Sequence, residues 1–455
     1  MNQVKHRTVT EDLSEYVSQA AKVDLPARII GKAKDHILDT IAAMVSGARL
    51  EPGRLVTEYI RRQQGIPEAQ LVGSEVMTTA GDAALANGIM AHADETDDSH
   101  APSMTHPGCA VIPAALAMAE KEGCDGKTFL NAVVLGYDVG CRVSLALVPS
   151  VYRRSGFCSH SIGGTFGAAA AAACIAGFDA VRVSHALSYA GHQASGVGAY
   201  VRCPDHLQKA FVFGGMPARN GVTAATLVQA GFTGVSDIFL GERNFLDAYS
   251  SDPKIEELTL GLGSRYEIER TNIKKFFVGS PIQAALDALL QITAEHELKA
   301  SDVERLMVRL PEREARTVND RHMPDINLQY ILAVTLLDGK LSFESAHCYE
   351  RMTDARVLEM KSRIELQPDP DLGSEDAPRQ AIVEVATRDG RNLRTHVKNV
   401  RGTAADPMTQ EEVINKARDL ISAVIGKQKC ERLIEMVRGI EDVADIRDFR
   451  PLLRT

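Results

Sequence analysis

Alanine-rich stretches with apolar residues at helical spacing fill the first half of this chain and commit it to closely packed helices. Ile37, Leu38, Ile41, Met44 and Val45 recur on one face of a segment that starts near Leu25-Pro26 and closes by Gly47, which predicts a buried helix. The same texture returns at 80–93, 110–122, 127–147, 164–176 and 221–230. Alanine has the highest helix propensity and its small side chain lets helix axes approach, so this half reads as an all-helical domain with few strands.

The pattern changes near Gly261. Alternating runs at 305–310 and 381–386 predict half-exposed strands, with helical segments at 281–295 and 326–337 between them. Residues 266–400 therefore read as a smaller α+β domain. After Pro407 an amphipathic helical pattern resumes, and Thr409 with Glu412 offers a capping box. Helices from both ends of the chain can join one domain, which makes the α+β unit an insertion. The expected fold is mainly α: a large all-helical domain from 1–265 and 401–455, and a smaller inserted α+β lid domain over 266–400.

Hydrophobic residues at 45% and charged residues at 24% are the balance of a folded globular protein. A net charge of -9 disfavours phosphate backbones and acidic lipid surfaces, so neither nucleic acid nor membrane is an expected partner. An anionic substrate would have to meet locally concentrated positive charge. The eight cysteines form no CxxC pair and no cluster with histidine at zinc spacing, so they read as reduced and mostly buried. The N-terminal stretch lacks an apolar signal core, and no run approaches the roughly 20 apolar residues of a membrane span. A cytoplasmic protein is expected.

The densest polar cluster runs from His92 through Asp94, Glu95, Asp97, Asp98 and Ser99 to His100, followed by Thr105-His106-Pro107-Gly108. Four acids and three histidines just past an apolar helix repel one another unless a substrate, a cation or a hydrogen-bond network fills the space, which marks a site. The alternative is a polar loop that merely meets solvent. No histidines stand at i and i+4 on a regular helix, and the acids lack calcium-loop spacing, so no metal is expected.

These segments resemble the MmgE/PrpD group, which includes 2-methylcitrate dehydratase, cis-aconitate decarboxylase and iminodisuccinate epimerase. The family's H-x-x-D-x-D-D-T and T-H-P-G segments are similar to 92–99 and 105–108, and its R-G-F-H and G-T-F-G-A-A segments to 155–158 and 164–169. Lys209 with Arg219-Asn220-Gly221, the Gly231-Phe232-Thr233-Gly234 run, Lys274 ahead of Asp287-Ala288, and Gln329-Tyr330 ahead of 336–339 continue the likeness in order. It spans roughly residues 30 to 340, and its specificity lies in the order of the segments together.

The resemblance implies a helical domain with a lid, a homodimer, and an interdomain pocket that uses neither metal nor organic cofactor. Carried over residue by residue, Glu95 takes the place of a family aspartate and Ser99 that of a threonine, while His106, Lys274 and Tyr330 match active-site residues unchanged. Lys209 resembles the helical-domain lysine, one residue out of register with the downstream glycine. Three positions depart. Cys158 stands where family members carry a catalytic histidine, and Gly279 and Gln283 stand where further histidines occur. His160 is a replacement acid or base if the local loop is rearranged, or else a hydrogen-bonded histidine near a helix start. Cys158 is either a thiol acid or base or a buried inert cysteine.

Ionising a C–H bond beside a carboxylate requires a base and fixed positive charge. Lys209 and Lys274 are the expected charges, Arg202 either a bidentate carboxylate ligand or a surface residue, and His106 the first choice of acid or base. Glu95 and Asp98 are expected to orient His106 or tune its pKa, Asp98 also to bind substrate, and Ser99 and Tyr330 to donate to substrate oxygens. The leading expectation is a metal-independent lyase, a hydratase or dehydratase of a small di- or tricarboxylate such as 2-methylcitrate. An epimerase or isomerase of an iminodisuccinate-like dicarboxylate is the nearest alternative. A decarboxylase of an aconitate-like acid follows, and then a carboxylate-binding paralogue without turnover. The glycine pairs Gly196/Gly198 and Gly214-Gly215 lack the context of a nucleotide loop and read as turns or tight helix packing.

Overall fold

The computed structural model describes residues 7–149, 154, 156–374 and 377–455; Ser155, the first residue of the 155–158 segment, lies outside them. The chain is mainly helical and divides into two compact units. The first comprises Met1–Ala93, Asp97–Asn272 and Val413–Thr455, the second Asp94–Thr96 and Ile273–Glu412. The main divide thus falls at Asn272/Ile273. A three-residue piece of the polar loop, embedded in the sequence of the first unit, packs with the second.

In the first unit the opening helices are α1 (Val9–Gln19), α2 (Ala27–Gly47) and α3 (Glu51–Gln63). There follow α4 (Ala80–Ala91), α5 (Gly108–Glu122), α6 (Gly126–Ala146), α7 (Ser159–Ile175) and α8 (Ala180–Gln193). The helix α2 begins directly after Pro26, whose fixed φ suits a helix start. Every residue of α7 is buried. It packs on α6 where glycines let the backbones meet: a Cβ on Gly140 would stand 2.7 Å from Gly163 O, and one on Gly136 2.9 Å from Gly167 O. Gly123 (φ 71°) ends α5, its N–H bonded to Ala119 O, and Gly177 (φ 64°) follows α7 in the same left-handed conformation. Among the described residues of this unit, strands are confined to short pairs, β1 (Ala69–Gln70) with β2 (Met77–Thr78), and β3 (Ser99–His100) with β4 (Thr271–Asn272).

One expectation needs correcting. The helix α6 is long and apolar enough to cross a membrane by length and composition, although the sequence reading placed no such run in the chain. It is a core helix here: 94% of its apolar window is buried, and it carries Asp138 and Arg142, both fully buried. Arg142 donates to the carbonyls of Glu257, Leu260 and Arg265 and so ties down the 257–265 segment.

The second unit is built on a four-stranded sheet of β5 (Val303–Leu310), β6 (Ile364–Pro368), β7 (Ala381–Thr387) and β8 (Asn392–Val397), in the order β6-β5-β7-β8. β5 runs parallel to β6 and antiparallel to β7, in a register that opposes Leu306 to Val385 and Val308 to Val383. Leu306, Val308, Leu310, Val383 and Val385 enter the core with the helices Gln283–Glu295 and Leu328–Asp338. Thr409 and Glu412 form the expected reciprocal cap: Glu412 Oε2 accepts from Thr409 N at 2.7 Å, and Thr409 Oγ1 from Glu412 N at 3.3 Å.

Candidate active site

The first unit gathers histidines around one aromatic ring. His92 and His160 both stack on Phe213, with centroids 4.5 and 3.7 Å away and interplanar angles of 20° and 16°. His106 lies 5.5 Å from the same ring, 5.1 Å from His92 and 5.1 Å from His160. His206 is 5.2 Å from His92, Tyr200 meets Phe213 edge-on at 4.8 Å, and Lys209 Nζ stands 5.2 Å from the centre of the Phe213 ring. Imidazoles and a phenol, which can exchange protons, and an ammonium, which can face an anion, are thus gathered around one apolar platform.

Local sequence explains the placement. Phe213 sits in a π-helical turn, Phe211–Gly215, that leads into the helix Met216–Gln229 with Pro217 in its first turn. A Cβ on Gly88 of α4 would stand 2.6 Å from Gly214 O, and one on Gly214 2.0 Å from Gly88 O. Only two bare backbones can approach this closely, so the glycine pair serves helix packing. The contact sets the π turn against α4 one turn before His92. Lys209 and Phe213 are four residues apart and share a face of this helical segment.

The polar loop sorts its acids by partner. Asp97, fully buried, accepts from His92 Nδ1 at 2.9 Å and from His106 Nδ1 at 3.1 and 3.2 Å. Asp98, also fully buried, accepts from His36 Nδ1 at 2.8 Å, Tyr137 Oη at 2.5 Å and Gly108 N at 3.0 Å. A Cβ on Gly108 would stand 2.7 Å from Tyr137 Oη and 2.8 Å from Asp98 Oδ1, so the glycine after His106-Pro107 leaves room for this carboxylate at the start of α5. The orienting carboxylate of His106 is therefore Asp97 rather than Glu95 or Asp98. Asp98, expected at the substrate, is committed to three partners inside the core. Burial and the adjoining Asp98 charge push the Tyr137 hydroxyl far above its ordinary range, which keeps it a donor.

His100, the third histidine of the loop, is structural. Ser103 Oγ lies 2.7 Å from its Nδ1 and Glu267 Oε2 3.1 Å from its Nε2, fixing the β3–β4 corner. Burial lowers its pKa against the opposing pull of Glu267. Ser99 is buried on β3, with its backbone paired to Asn272. Cys158 is buried at the N-cap of α7, and its N–H bonds to Gly196 O at 3.1 Å. His160, the second residue of that helix, is the residue that joins His106 and Phe213. Arg202 ends the 3-10 turn Gly198–Arg202 in an exposed position.

In the second unit, the Lys274 ammonium is buried and donates to Glu95 O at 2.7 Å and Glu95 Oε2 at 3.4 Å. Asp94 accepts from Thr96 N and Thr96 Oγ1 at 2.9 and 2.7 Å, and its Oδ2 lies 2.9 Å from His347 Nε2. His347 Nδ1 lies 2.7 Å from Phe343 O, so both ring nitrogens face acceptors and the ring is held as an imidazolium. Burial alone would lower its pKa, but Asp94 outweighs this and raises it to about 9. Tyr330 is fully buried and its hydroxyl donates to Ser345 O at 2.6 Å and Cys348 O at 3.1 Å. It cannot serve as the expected donor to substrate oxygens in this arrangement, because it braces the segment that carries His347.

Asp97, His92, His206, Phe213 and His347 received no individual role from the sequence. The spacing of His206, Lys209 and Phe213, three and four residues apart, was the available signal for two of them. Nothing local marks His347 as the partner of Asp94.

The chain matches the MmgE/PrpD N-terminal domain over residues 11–258 and the MmgE/PrpD C-terminal domain over residues 276–442. It is 25% identical to a human cis-aconitate decarboxylase over 469 residues, covering 98% of this chain and 95% of that protein. It is also 25% identical to a cis-aconitate decarboxylase-like protein of Aspergillus oryzae over 477 residues, covering 98% and 97%. A cis-aconitate decarboxylase of Aspergillus terreus is 22% identical over 479 residues, covering 98% and 96%. Matches to both family domains, in order and over most of the sequence, place this chain in the MmgE/PrpD family.

Proposed function

We propose that this protein is a metal-independent lyase of small polycarboxylates, with His106 as its central acid or base and an aconitate-like tricarboxylate as the first substrate to test. The observation that carries the reading is the Asp97–His106 pair beside His160, Phe213 and Lys209. A carboxylate on Nδ1 leaves Nε2 as the reacting nitrogen. His160 takes the place of the histidine missing at 158, and the ammonium of Lys209 stabilises a substrate carboxylate and the charge that grows beside it.

In a decarboxylation the C–CO2 bond breaks and carbon dioxide leaves. The bonding pair stays on carbon, delocalised towards a remaining carboxylate, and an imidazolium returns one proton to that carbon. The names of the relatives favour this reaction over the dehydration of a 2-methylcitrate-like acid or epimerisation, which share the carbanion-like intermediate. Lys274 enters the proposal as a second cation for substrate carboxylates, and Ser99 as a donor to substrate oxygen. Metal independence enters the proposal as what the family resemblance implies; His92, Asp97 and His106 bring ligand atoms within 4.8 Å of one another, so metal addition and chelation are the test of it. The eight free cysteines support a reducing, cytoplasmic setting, and the family resemblance supports a homodimer.

The test is incubation of the purified protein with cis-aconitate, 2-methylcitrate and iminodisuccinate in heavy water. Carbon dioxide, unsaturated products and deuterium at carbon are followed by mass spectrometry. The expected result is turnover of a tricarboxylate that a folded His106→Ala variant lacks. No deuterium exchange into any of the three acids, or undiminished turnover by His106→Ala, would overturn the reading.

A further inference from the structure

The relation of Asp97 to two imidazoles goes beyond the assignment of His106. Both oxygens of one buried carboxylate are directed at ring nitrogens of the same kind, Nδ1 of His92 and Nδ1 of His106, at 2.9 to 3.2 Å. With Asp97 ionised its oxygens only accept, so each of these nitrogens then carries the proton. Each ring is then either the Nδ1–H tautomer or the cation, never the Nε2–H tautomer that free imidazole slightly prefers. His92 adds a second observation: it is fully buried, and its Nε2 has no hydrogen-bond partner among the described residues. A buried acceptor without a donor is costly unless a ligand completes it. Stacking on Phe213 holds the His92 ring in that orientation.

We propose that Asp97 is the positioning residue of a two-imidazole device, fixing His92 and His106 together through their Nδ1 atoms, and that His92, whose Nε2 lone pair is available, is a second substrate-facing group. Its buried Nε2 takes a hydrogen bond or a proton from a donor on the bound acid, such as a hydroxyl or a protonated carboxyl. The catalytic part of this inference rests on the proposed lyase chemistry. The tautomer part stands without it.

The closing experiment therefore has a readout independent of turnover. The full-length protein is labelled with 15N-histidine, and ring nitrogens are correlated with ring protons at about pH 8.5, well above the ordinary histidine value. His92→Gln and His106→Gln variants supply the assignments. The expected result is a protonated Nδ1 at both rings in the wild type, with Nε2–H tautomers that lack the Nδ1 proton appearing in Asp97→Ala. An Nε2–H tautomer with an unprotonated Nδ1 at either ring in the wild type overturns the proposal, even if the protein is an active lyase. So does equimolar Zn2+ displacing both Nδ1 protons, because the cluster would then be a metal site. If a substrate is turned over, Asp97→Asn should lower kcat about 10³- to 10⁴-fold, the scale on which a wrong tautomer acts in a protease triad, with little change in KM. A fall matched by loss of folded protein, with the remaining folded fraction fully active, overturns the positioning role.

Discussion

Asp94 and His347, far apart in sequence, meet at 2.9 Å inside the second unit. Burial alone would raise the Asp94 pKa and lower that of His347, but the pair reverses both, leaving Asp94 below its usual range and His347 at about 9. The sign of the pH dependence follows. His347 has a folded pKa above its unfolded value of about 6.5, so its contribution is complete below that pH and is lost as pH rises through about 9. Asp94, shifted down, contributes above about pH 4 and loses that contribution as pH falls through its folded value. His347→Gln should therefore cost about 3 kcal/mol near pH 6, the scale for breaking a buried pair, and much less near pH 10. Urea denaturation at the two pH values measures this; a pH-independent difference would contradict the assignment of an imidazolium.

Asp98 separates a structural role from substrate binding. Its oxygens serve His36, Tyr137 and Gly108 within the core. Asp98→Ala should destabilise the fold by about 3–5 kcal/mol, because three buried donors lose their acceptor together. Thermal unfolding gives the test. A variant with unchanged melting temperature and a raised KM would return Asp98 to the substrate.

Much of the fold was legible because it rests on local periodicity. The alanine-rich helices, the strands at 303–310 and 381–387, the Thr409–Glu412 cap and the helix ends at Gly123 and Gly177 all have signals within a few residues. The candidate site was legible as a cluster, and family resemblance supplied His106, Lys209 and Lys274. The division of labour among four neighbouring acids was not. Asp94, Glu95, Asp97 and Asp98 are chemically near-identical, and their roles come from partners as distant in sequence as His347, Lys274, His106 and His36. Tyr330 shows the converse: a residue type suited to binding substrate oxygens is committed to two backbone carbonyls.

Gly88 tests whether the π turn is held by helix packing. An added Cβ would stand 2.6 to 2.9 Å from O, C and N backbone atoms of Gly214 and Gly215, with no flexible side chain to move aside. Gly88→Ala should cost about 1–3 kcal/mol as an overpacked contact and displace Phe213 from the histidines that stack on it. Calorimetry together with near-ultraviolet circular dichroism would register both effects. Full stability in this variant would mean that the turn has other support.

Cys158 and His160 divide the two readings of the departed family histidine. Cys158 is buried at a helix N-cap, whereas His160 stacks on Phe213 and lies 5.1 Å from His106. Once a substrate is found, Cys158→Ser should retain turnover within a few-fold. His160→Ala should lose about 10²- to 10⁴-fold in kcat, the range for removing a general acid or base. His160→Gln separates packing from proton transfer: it keeps a flat polar side chain on Phe213 but cannot exchange a proton near neutral pH, so it should remain as impaired as His160→Ala. Restored turnover in His160→Gln would make the residue a spacer. Loss of turnover in Cys158→Ser with His160→Ala active would assign the chemistry to the thiol.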